Sequence, residues 1–491
     1  MSGSDPRITG GDYLLYRRCP RSLHRKLRGE RLPSFSEADA LYPVEPERER
    51  LRALDRRRYP DAVAADEAPE APEAGRVPTL FDARCAAPPF VATVDIWHPQ
   101  KPQGMAAVLV REGTSIKESY LREAAFVGCC LARCDAEPTK LFIHHVNKMY
   151  ERGAELELDA LFVERDVTRR VRKLMPEVTA ELSMLETELV EDPTLERYRD
   201  SLCSRPATCP LCAADVPEVG VRHVTTLHRG GHLVRELLDE GITSILDVPP
   251  DRLVHPRQHI QQRAVLHGEP QVDEEVLREF IGRLEEPVSY LDFEATSSAI
   301  PPFEGVRPWE HVPYLYSLHR EELGELTHRS WMMTPGHDGR AEMAAQLVAD
   351  CGERGSIVVY SAGFERGIIT RLADASPEHA ERLLELRERI VDLLEPFNDF
   401  AFYHHDQRGK VSLKTVLPVL TSYDYSSERI QDGYAANLVY RYLAERAGRA
   451  DPDASSAAET RKLLADLVSY CAMDTMAMVH VVRALRAIAG G

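Results

Sequence analysis

The sequence lacks long hydrophobic runs and a surplus of positive charge. No stretch approaches the roughly 18 apolar residues of a membrane-spanning helix, and the first residues lack the charged-then-apolar pattern of a secretory signal. We therefore expect a cytoplasmic protein without a membrane partner. The net charge of -18 argues against indiscriminate binding of polyanions, so any contact with nucleic acid has to be local.

A disulfide framework is also not expected, because the ten cysteines belong to a chain predicted to be cytoplasmic. Three of them, Cys203, Cys209 and Cys212, form a C-x5-C-x2-C run beside prolines. Thiolates on so tight a loop converge when a metal binds them, so this run predicts a metal site with three of its ligands. Six others are interpreted as core residues: Cys85, Cys129, Cys130, Cys134, Cys351 and Cys471.

Length and composition indicate two or three ordinary globular domains, with 491 residues, 43% hydrophobic and 29% charged. Residues 33–78 have no apolar periodicity and predict a flexible or poorly packed insertion. Residues 1–31 carry eight Arg or Lys against three Asp or Glu, on a short helix that ends near Pro20 and a basic helix after it. This is the one local basic patch that the sequence offers to a polyanion.

Two carboxylates interrupt the apolar stretch from Tyr290 to Ala295. Side chains alternate along a strand, so Asp292 and Glu294 leave one face while Leu291 and Phe293 leave the other. Two like charges at that separation repel each other unless a cation lies between them or one carboxyl stays protonated. We interpret the pair as metal ligands; the alternative is an edge strand with a solvated polar face.

The pattern after Glu285 predicts an α/β domain. Three hairpin-like strands are expected at 288–296, 314–319 and 330–334, then a helix after Gly339, a strand at 356–361 and further helices. The strand at 356–361 runs into a helix that begins near Glu365, and Tyr470 and Asp474 share one helix face at i, i+4 spacing.

The chain resembles the DnaQ-like (DEDD) exonucleases over about residues 286–491. Their three motifs match, in order, the D-x-E strand, Phe364 followed by Glu365, and the Y-x3-D helix. The resemblance implies an RNase H-like fold and 3′ to 5′ hydrolysis of single-stranded ends by two Mg²⁺ or Mn²⁺ ions. It implies ion ligands at Asp292, Glu294, Glu365 and Asp474, with Tyr470 orienting the attacking water and Lys414 contacting a backbone phosphate. Glu365 stands where Asp is usual, and Ser361 where Asn is common.

A second region resembles the PD-(D/E)XK nucleases, in particular RecB-type modules. It consists of strands predicted around 89–97 and 105–117 and a helix predicted at 120–134. Asp95 matches their first acid, but Leu109-Val110-Arg111 fills the E-x-K place, and neither Leu nor Arg replaces a metal ligand or a base. We therefore expect a catalytically dead module; the alternative is that Glu112 or Glu118 takes over. The resemblance also implies that Cys19 joins Cys203, Cys209 and Cys212 around a [4Fe-4S] cluster, with Zn²⁺ as the alternative.

The whole chain resembles a bacterial family of two-part proteins of unknown function, which shares Y-L-D-F-E, an R-P-aromatic turn and S-L-K. We predict a degenerate PD-(D/E)XK module at 1–218, a helical linker at 219–285 and a DEDD exonuclease domain at 286–491. The predicted partner is single-stranded DNA or RNA, which Arg17, Arg18, Arg21 and Arg25 would grip. The alternative function is a catalytically degenerate nucleic-acid-binding scaffold of a repair or phage-defence system.

Overall fold

Helices and strands of mixed α/β architecture make up most of the chain in a computed structural model. It describes residues 8–30, 41–65, 78–100, 104–199, 211, 220–423, 430, 432–447 and 454–490. The chain divides into two units by its internal contacts. Unit 1 comprises Met1–Pro33, Glu45–Ser204 and Ser297–Glu310, and unit 2 comprises Ser34–Val44, Arg205–Thr296 and His311–Gly491. The segment predicted as a linker, 219–285, belongs to unit 2.

Unit 1 is built on a six-stranded sheet. Its described helices are α1 (Gly10–Arg18), α2 (Pro20–Leu27), α3 (Glu47–Arg56), α4 (Glu118–Arg133), α5 (Leu158–Leu161) and α6 (Thr168–Glu191). Its strands are β1 (Val63–Ala64), β2 (Leu80–Ala87), β3 (Phe90–Pro99), β4 (Met105–Arg111), β5 (Lys140–Val146) and β6 (Phe162–Asp166). They lie side by side in sequence order, with parallel pairing only at β1/β2 and β4/β5. Apolar residues of α1, α4 and α6 pack against the sheet.

One part of the expected insertion at 33–78 is an ordered helix, so that prediction was wrong for residues 47–56. Leu51 and Asp55 of α3 are fully buried, and Glu47 accepts hydrogen bonds from Ser298 Oγ (2.9 Å) and Ala299 N (3.0 Å). The helix escaped detection because only Leu51, Ala53 and Leu54 among its ten residues are apolar. Its other buried groups are charged side chains that find ion-pair partners.

Unit 2 contains the remaining described elements. Its helices are α7 (Gly231–Asp239), α8 (Pro256–His267), α9 (Glu274–Gly282), α10 (Arg340–Cys351), α11 (Ala362–Ala375), α12 (Ala380–Glu388), α13 (Glu395–Asn398), α14 (Leu413–Leu420), α15 (Gly433–Ala447) and α16 (Ala454–Gly490). Its strands are β7 (Gln271–Val272), β8 (Val288–Thr296), β9 (Val312–Glu322), β10 (Glu325–Met332), β11 (Ile357–Val359), β12 (Ile390–Asp392) and β13 (Phe402–Tyr403). Strands β7 and β13 pair separately.

The strand β8 is the centre of a five-stranded sheet with the order β10-β9-β8-β11-β12. Strands β9 and β10 are antiparallel to their neighbours, and β8, β11 and β12 are parallel. Leu291 and Phe293 pack among residues of α10 and α11, whereas Val288 and Tyr290 pack among residues of α16. Both faces are therefore covered, and Asp292 and Glu294, by strand alternation, belong to the α16 side.

Several predicted elements occur at the expected places. The strand predicted at 288–296 has those bounds, and the helix predicted around Tyr470 and Asp474 lies within α16. Among the described cysteines, Cys85 and Cys134 form a disulfide. Cys85 is buried as expected, but Cys134 is exposed, so its interpretation as a core residue was wrong. No helix in the described part of the chain combines the length and the apolar character needed to cross a membrane.

Candidate functional site

Three carboxylates converge beside the central strand of unit 2. Asp292 and Glu294 come from β8, and Asp474 comes from α16, which packs on the same face. Each offers one carboxylate oxygen, and these oxygens lie within 4.8 Å of one another. We call Asp292, Glu294 and Asp474 the acid cluster. The structure thus brings together the D-x-E pair and the distant aspartate.

The acid cluster concentrates negative charge in a poorly hydrated place. Burial and then the charge of Asp474 raise the pKa of Asp292 well above its usual range, while the Cys471 hydrogen bond and the Lys414 charge act in the opposite direction. Burial and then the charges of Asp292 and Asp474 raise the pKa of Glu294 in the same way. Within the described residues, neither Asp292 nor Glu294 forms an ion pair, so protons or a bound cation must offset their charge.

Glu365 approaches this cluster from the first turn of α11. Its side chain is only 3% exposed, and burial, with the charge of Asp292, raises its pKa to about 9. Its Oε2 atom has no hydrogen-bond partner among the described residues. Glu365 is not one of the three acids whose oxygens meet within 4.8 Å, but it lies close enough for the charge of Asp292 to act on it.

Tyr470 lies one helical turn before Asp474 on α16. Burial, followed by the charge of Asp474, raises the pKa of its phenol far above the usual value of 10, so the hydroxyl stays protonated at neutral pH. Lys414 Nζ, from α14, donates to Tyr470 Oη at 3.4 Å and lies 5.1 Å from the ring centroid. Lys414, predicted as a phosphate contact, therefore stands beside the predicted water-orienting residue.

A second layer of side chains was not predicted from the sequence. Cys471 Sγ, interpreted as core, donates to Asp292 Oδ2 at 3.3 Å. Thr475, next to Asp474, hydrogen bonds through Oγ1 to Ser317 Oγ and to His319 Nδ1, both at 2.8 Å. Ser317 is the direct cross-strand partner of Asp292. The usable signal was the position of Cys471 and Thr475, which directly follow Tyr470 and Asp474 and lie one turn apart on the same helix, combined with the register of β9.

Asp95 of unit 1 has a different environment. It is 2% exposed, and its carboxylate accepts from Val110 N (2.7 Å) and Arg111 Nη1 (3.1 Å) and pairs with Arg52 Nε (2.9 Å). Arg111, also 2% exposed, reaches on to Glu123 Oε2 at 2.8 Å. Arg48 contacts the two acids, Asp95 and Glu123, at 3.6 and 3.5 Å.

We call Asp95, Glu123, Arg48, Arg52 and Arg111 the neutralised cluster. Leu109, which the PD-(D/E)XK resemblance predicts to replace a metal-binding Glu, is fully buried in the core. Glu112 and Glu118, the substitutes considered from the sequence, face other partners: Tyr120 Oη lies 3.4 Å from Glu112, and Arg122 Nε lies 2.8 Å from Glu118. The Arg111 guanidinium therefore contacts both carboxylates of this cluster.

The predicted basic face at the N-terminus is partly compensated by acids. Arg17 pairs with Glu181 (3.2 Å) and Arg25 with Glu30 (3.6 Å), while Arg21 is buried and Arg18 is exposed. Cys19 is buried at the junction of α1 and α2. Its three predicted co-ligands, Cys203, Cys209 and Cys212, lie outside the described residues, so the [4Fe-4S] or Zn²⁺ site stays a prediction.

His404, His405 and Asp406 form a second group with metal-binding side chains. The Nδ1 atom of His404 accepts from Asp406 N at 3.2 Å, and Gln407 completes a capping box with His404. The two imidazole rings stack with centroids 4.2 Å apart. These capping hydrogen bonds explain why the three side chains lie together, so no bound metal is needed to account for their position.

Comparison with known proteins supplies one match. Residues 289–412 match the family described as Domain of unknown function (DUF2779). The matched region runs from β8 to the residue before α14, so it contains Asp292, Glu294 and Glu365 but not Tyr470 or Asp474. No curated protein and no solved structure is significantly similar to the chain.

Proposed function

We propose that this protein is a metal-dependent nuclease whose active site comprises the acid cluster, Glu365 and Tyr470. The observation that carries the proposal is the meeting of Asp292, Glu294 and Asp474 within 4.8 Å with no arginine ion pair to Asp292 or Glu294 in the described chain. Folding bears a free-energy cost to hold such charges together. A site that binds a divalent cation accounts for that cost.

The sheet of unit 2 supports an RNase H-like fold for this site. Numbered within that sheet alone, its strands have the order 3-2-1-4-5, with only the second strand antiparallel to the rest. The D-x-E strand is the first and central one, as the DnaQ-like resemblance implies. The acid of the second motif follows the fourth strand, and the third motif lies on the final helix.

The residues present fit Mg²⁺ or Mn²⁺. Both ions prefer carboxylate oxygens, and Glu365 Oε2 is a buried oxygen that lacks a partner among the described residues. Asp292, Glu294, Asp474 and Glu365 would hold the ions. When bound, such ions supply an activated water, neutralise charge on the phosphoryl oxygens and assist departure of the 3′ oxygen.

The protein side chains supply the remaining parts of the proposed reaction. Tyr470 Oη, protonated at neutral pH, orients the attacking water by hydrogen bonding. The Cys471 thiol fixes the Asp292 carboxylate through Oδ2. Lys414 Nζ holds the Tyr470 hydroxyl and presents positive charge to a backbone phosphate. The motif class gives the direction, 3′ to 5′ from a single-stranded end.

For unit 1 we propose nucleic-acid binding without catalysis. The neutralised cluster supports this role because Arg111 saturates Asp95 and Glu123, leaving no carboxylate pair for a metal. A protein in which both units only bind nucleic acid is the competing function. It does not account for Asp292 and Glu294, which form no ion pair within the described residues.

Degradation of end-labelled strands tests the proposal. Matched DNA and RNA single strands, labelled at the 3′ or the 5′ end, are incubated with the protein and Mg²⁺, Mn²⁺ or EDTA. We expect early release of the 3′ label as a mononucleotide, a shortening ladder from the 5′ label, and no degradation in EDTA or with Asp292→Asn. A folded protein that degrades none of these strands with either metal would overturn the nuclease assignment.

A further inference from the structure

The turn between β11 and α11 brings Glu365 toward the acid cluster, and a residue of the neighbouring strand β12 binds this turn. Ser361, the residue before the helix, has φ 77° and ψ 65°, which is the left-handed region. A non-glycine residue there costs free energy and persists only when its surroundings impose it. The Ser361 side chain does not cap the helix. Another group must therefore satisfy the first N–H groups of α11.

Asp392, the last residue of β12, supplies that group. Its Oδ1 atom accepts from Ser361 N (2.8 Å) and Leu394 N (2.9 Å), and its Oδ2 atom accepts from Ala362 N (2.9 Å). Strands β11 and β12 are adjacent and parallel, with Val359 opposite Asp392, so the carboxylate lies directly beside the turn. Both oxygens are engaged by backbone N–H groups, which distinguishes Asp392 from the metal-ligand candidates.

We propose that Asp392 is the positioning residue for Glu365, clamping the Ser361–Ala362 turn so that the Glu365 carboxylate reaches the metal site. The inference rests on the proposed function for the identity of that site. Glu365 lies three residues beyond Ala362 in the first turn of α11, so any rotation of the turn moves its carboxylate directly. The same contacts explain the left-handed Ser361, at the position where the resembling family often has Asn, a residue that tolerates this conformation.

The test compares two aspartate caps in unit 2. Asp392→Ala removes the proposed clamp. Asp273→Ala removes the N-cap of α9, where the Asp273 side chain accepts from Val276 N at 3.2 Å. Asp273 has no part in the acid cluster. The control therefore reports what the loss of a helix cap does to unit 2 in general.

Three measurements are made on the full chain: Mn²⁺ affinity by titration calorimetry, amide hydrogen exchange at 361–365, and kcat and KM on a single-stranded substrate. We expect Asp392→Ala to weaken Mn²⁺ binding by about tenfold or more, as loss of a group supporting a metal ligand does. Exchange at the turn should accelerate, and kcat should fall with KM nearly unchanged. Asp392→Asn, which keeps one acceptor oxygen but turns an amide NH₂ toward a backbone donor, should give an intermediate loss. Asp273→Ala should match wild type in Mn²⁺ affinity and kcat.

Two outcomes would overturn the positioning role. In the first, Asp392→Ala has the same amide exchange and the same Mn²⁺ affinity as wild type. In the second, Asp273→Ala loses as much Mn²⁺ affinity and kcat as Asp392→Ala does. Wild-type protein that binds no Mn²⁺ would instead overturn the proposed metal site. In that case the exchange comparison alone decides the role of Asp392. Accelerated exchange at 361–365 would support the clamp, and unchanged exchange would reject it.

Discussion

The acid cluster of unit 2 and the neutralised cluster of unit 1 both place carboxylates beside a central strand, but they offset the charge in opposite ways. Around Asp95, guanidinium groups from Arg52 and Arg111 lie within about 3 Å of the carboxylate. Around Asp292, the neighbours are another acid, Asp474, the Cys471 thiol, and Lys414, whose charge acts on Asp292 without an ion pair between them among the described residues. The ion-pair network around Asp95 is complete without a ligand, whereas the carboxylates around Asp292 need protons or a bound cation to offset their charge.

This difference indicates how to distinguish a structural acid such as Asp95 from a proposed metal ligand such as Asp292. Burial alone does not separate the two, because Asp95 is even less exposed than Asp292. The number and sign of neighbouring charges do separate them. Substitutions in the two clusters should therefore have different consequences.

The largest expected effect is on catalysis. Asp292→Ala should reduce metal-dependent cleavage by about a hundredfold or more, because it removes a ligand at the reacting centre, while Asp95→Ala should leave cleavage nearly intact. Initial rates on labelled single strands at saturating Mg²⁺ provide the measurement. If Asp95→Ala inactivates a folded protein and Asp292→Ala does not, the active site lies in unit 1 and the assignment to unit 2 is wrong.

Stability without metal should change with opposite sign in the two clusters. Arg111→Met leaves Asp95 and Glu123 with less compensation, and breaking a buried pair in this way costs about 3–5 kcal/mol. Asp292→Asn in EDTA should instead raise the free energy of unfolding, because it removes one of the repelling charges. Urea unfolding of both variants measures the two shifts. Destabilisation by both substitutions would contradict the contrast.

The pH dependence should distinguish the clusters next. The pKa values of Asp292, Glu294 and Glu365 are raised by burial, the last to about 9, so the native state binds more protons than the unfolded state above the ordinary carboxyl range. Without metal, the stability of unit 2 should therefore fall as pH rises from about 5 toward 9. Mg²⁺ competes with those protons, so the shift in Tm that it produces should grow over the same range.

Thermal unfolding in EDTA and in Mg²⁺ at pH 6 and 8.5 checks this dependence. Asp292→Asn is the matched variant, and it should flatten the slope. Asp95→Asn should leave the increase in the Mg²⁺ effect unchanged. A Mg²⁺ effect that is equal at both pH values would contradict the link between the raised pKa values and the metal.

The smallest expected effect on turnover concerns the N-terminal arginines. Changing Arg17, Arg18, Arg21 and Arg25 together to Gln should weaken binding of single strands and flatten its salt dependence, by roughly 0.7 in the log–log slope for each phosphate that the protein no longer neutralises. The value of kcat should barely change. Because Arg17 and Arg25 already pair with Glu181 and Glu30, the change in slope should be below that of four free cations. Fluorescence anisotropy at several salt concentrations measures the affinity and its salt slope. If the four-arginine variant binds like wild type, this face is only solvated and does not contact the strand.

Local pattern was sufficient for much of the fold. Alternation of apolar residues gave β8 its bounds, and helical spacing placed Tyr470 and Asp474 on α16. The acids of the site were predictable because each belongs to a short motif. The role of Asp392 was not, because the turn that it holds lies about 30 residues away and is bound through backbone groups that carry no sequence signal.

The neutralised cluster was only half predictable. The loss of the E-x-K motif was visible at Leu109 and Arg111, but the compensation came from Arg48 and Arg52 on a helix whose charged sequence looked like a loop. Pairing between distant charged residues depends on tertiary contacts. The same reason explains why Cys471 and Thr475 were not recognised beside the acid cluster.

The arrangement of Arg111 also restricts how unit 1 is able to change over evolutionary time. Replacing Arg111 alone strips Asp95 and Glu123 of their shared partner, and introducing Glu in place of the fully buried Leu109 adds a further charge to the core. Each single step toward a metal-binding E-x-K is therefore deleterious before any ion is held. Arg48 and Arg52 would have to withdraw from Asp95 as well. The guanidinium groups therefore make a single replacement at either Arg111 or Leu109 costly, because each leaves buried charge without a partner.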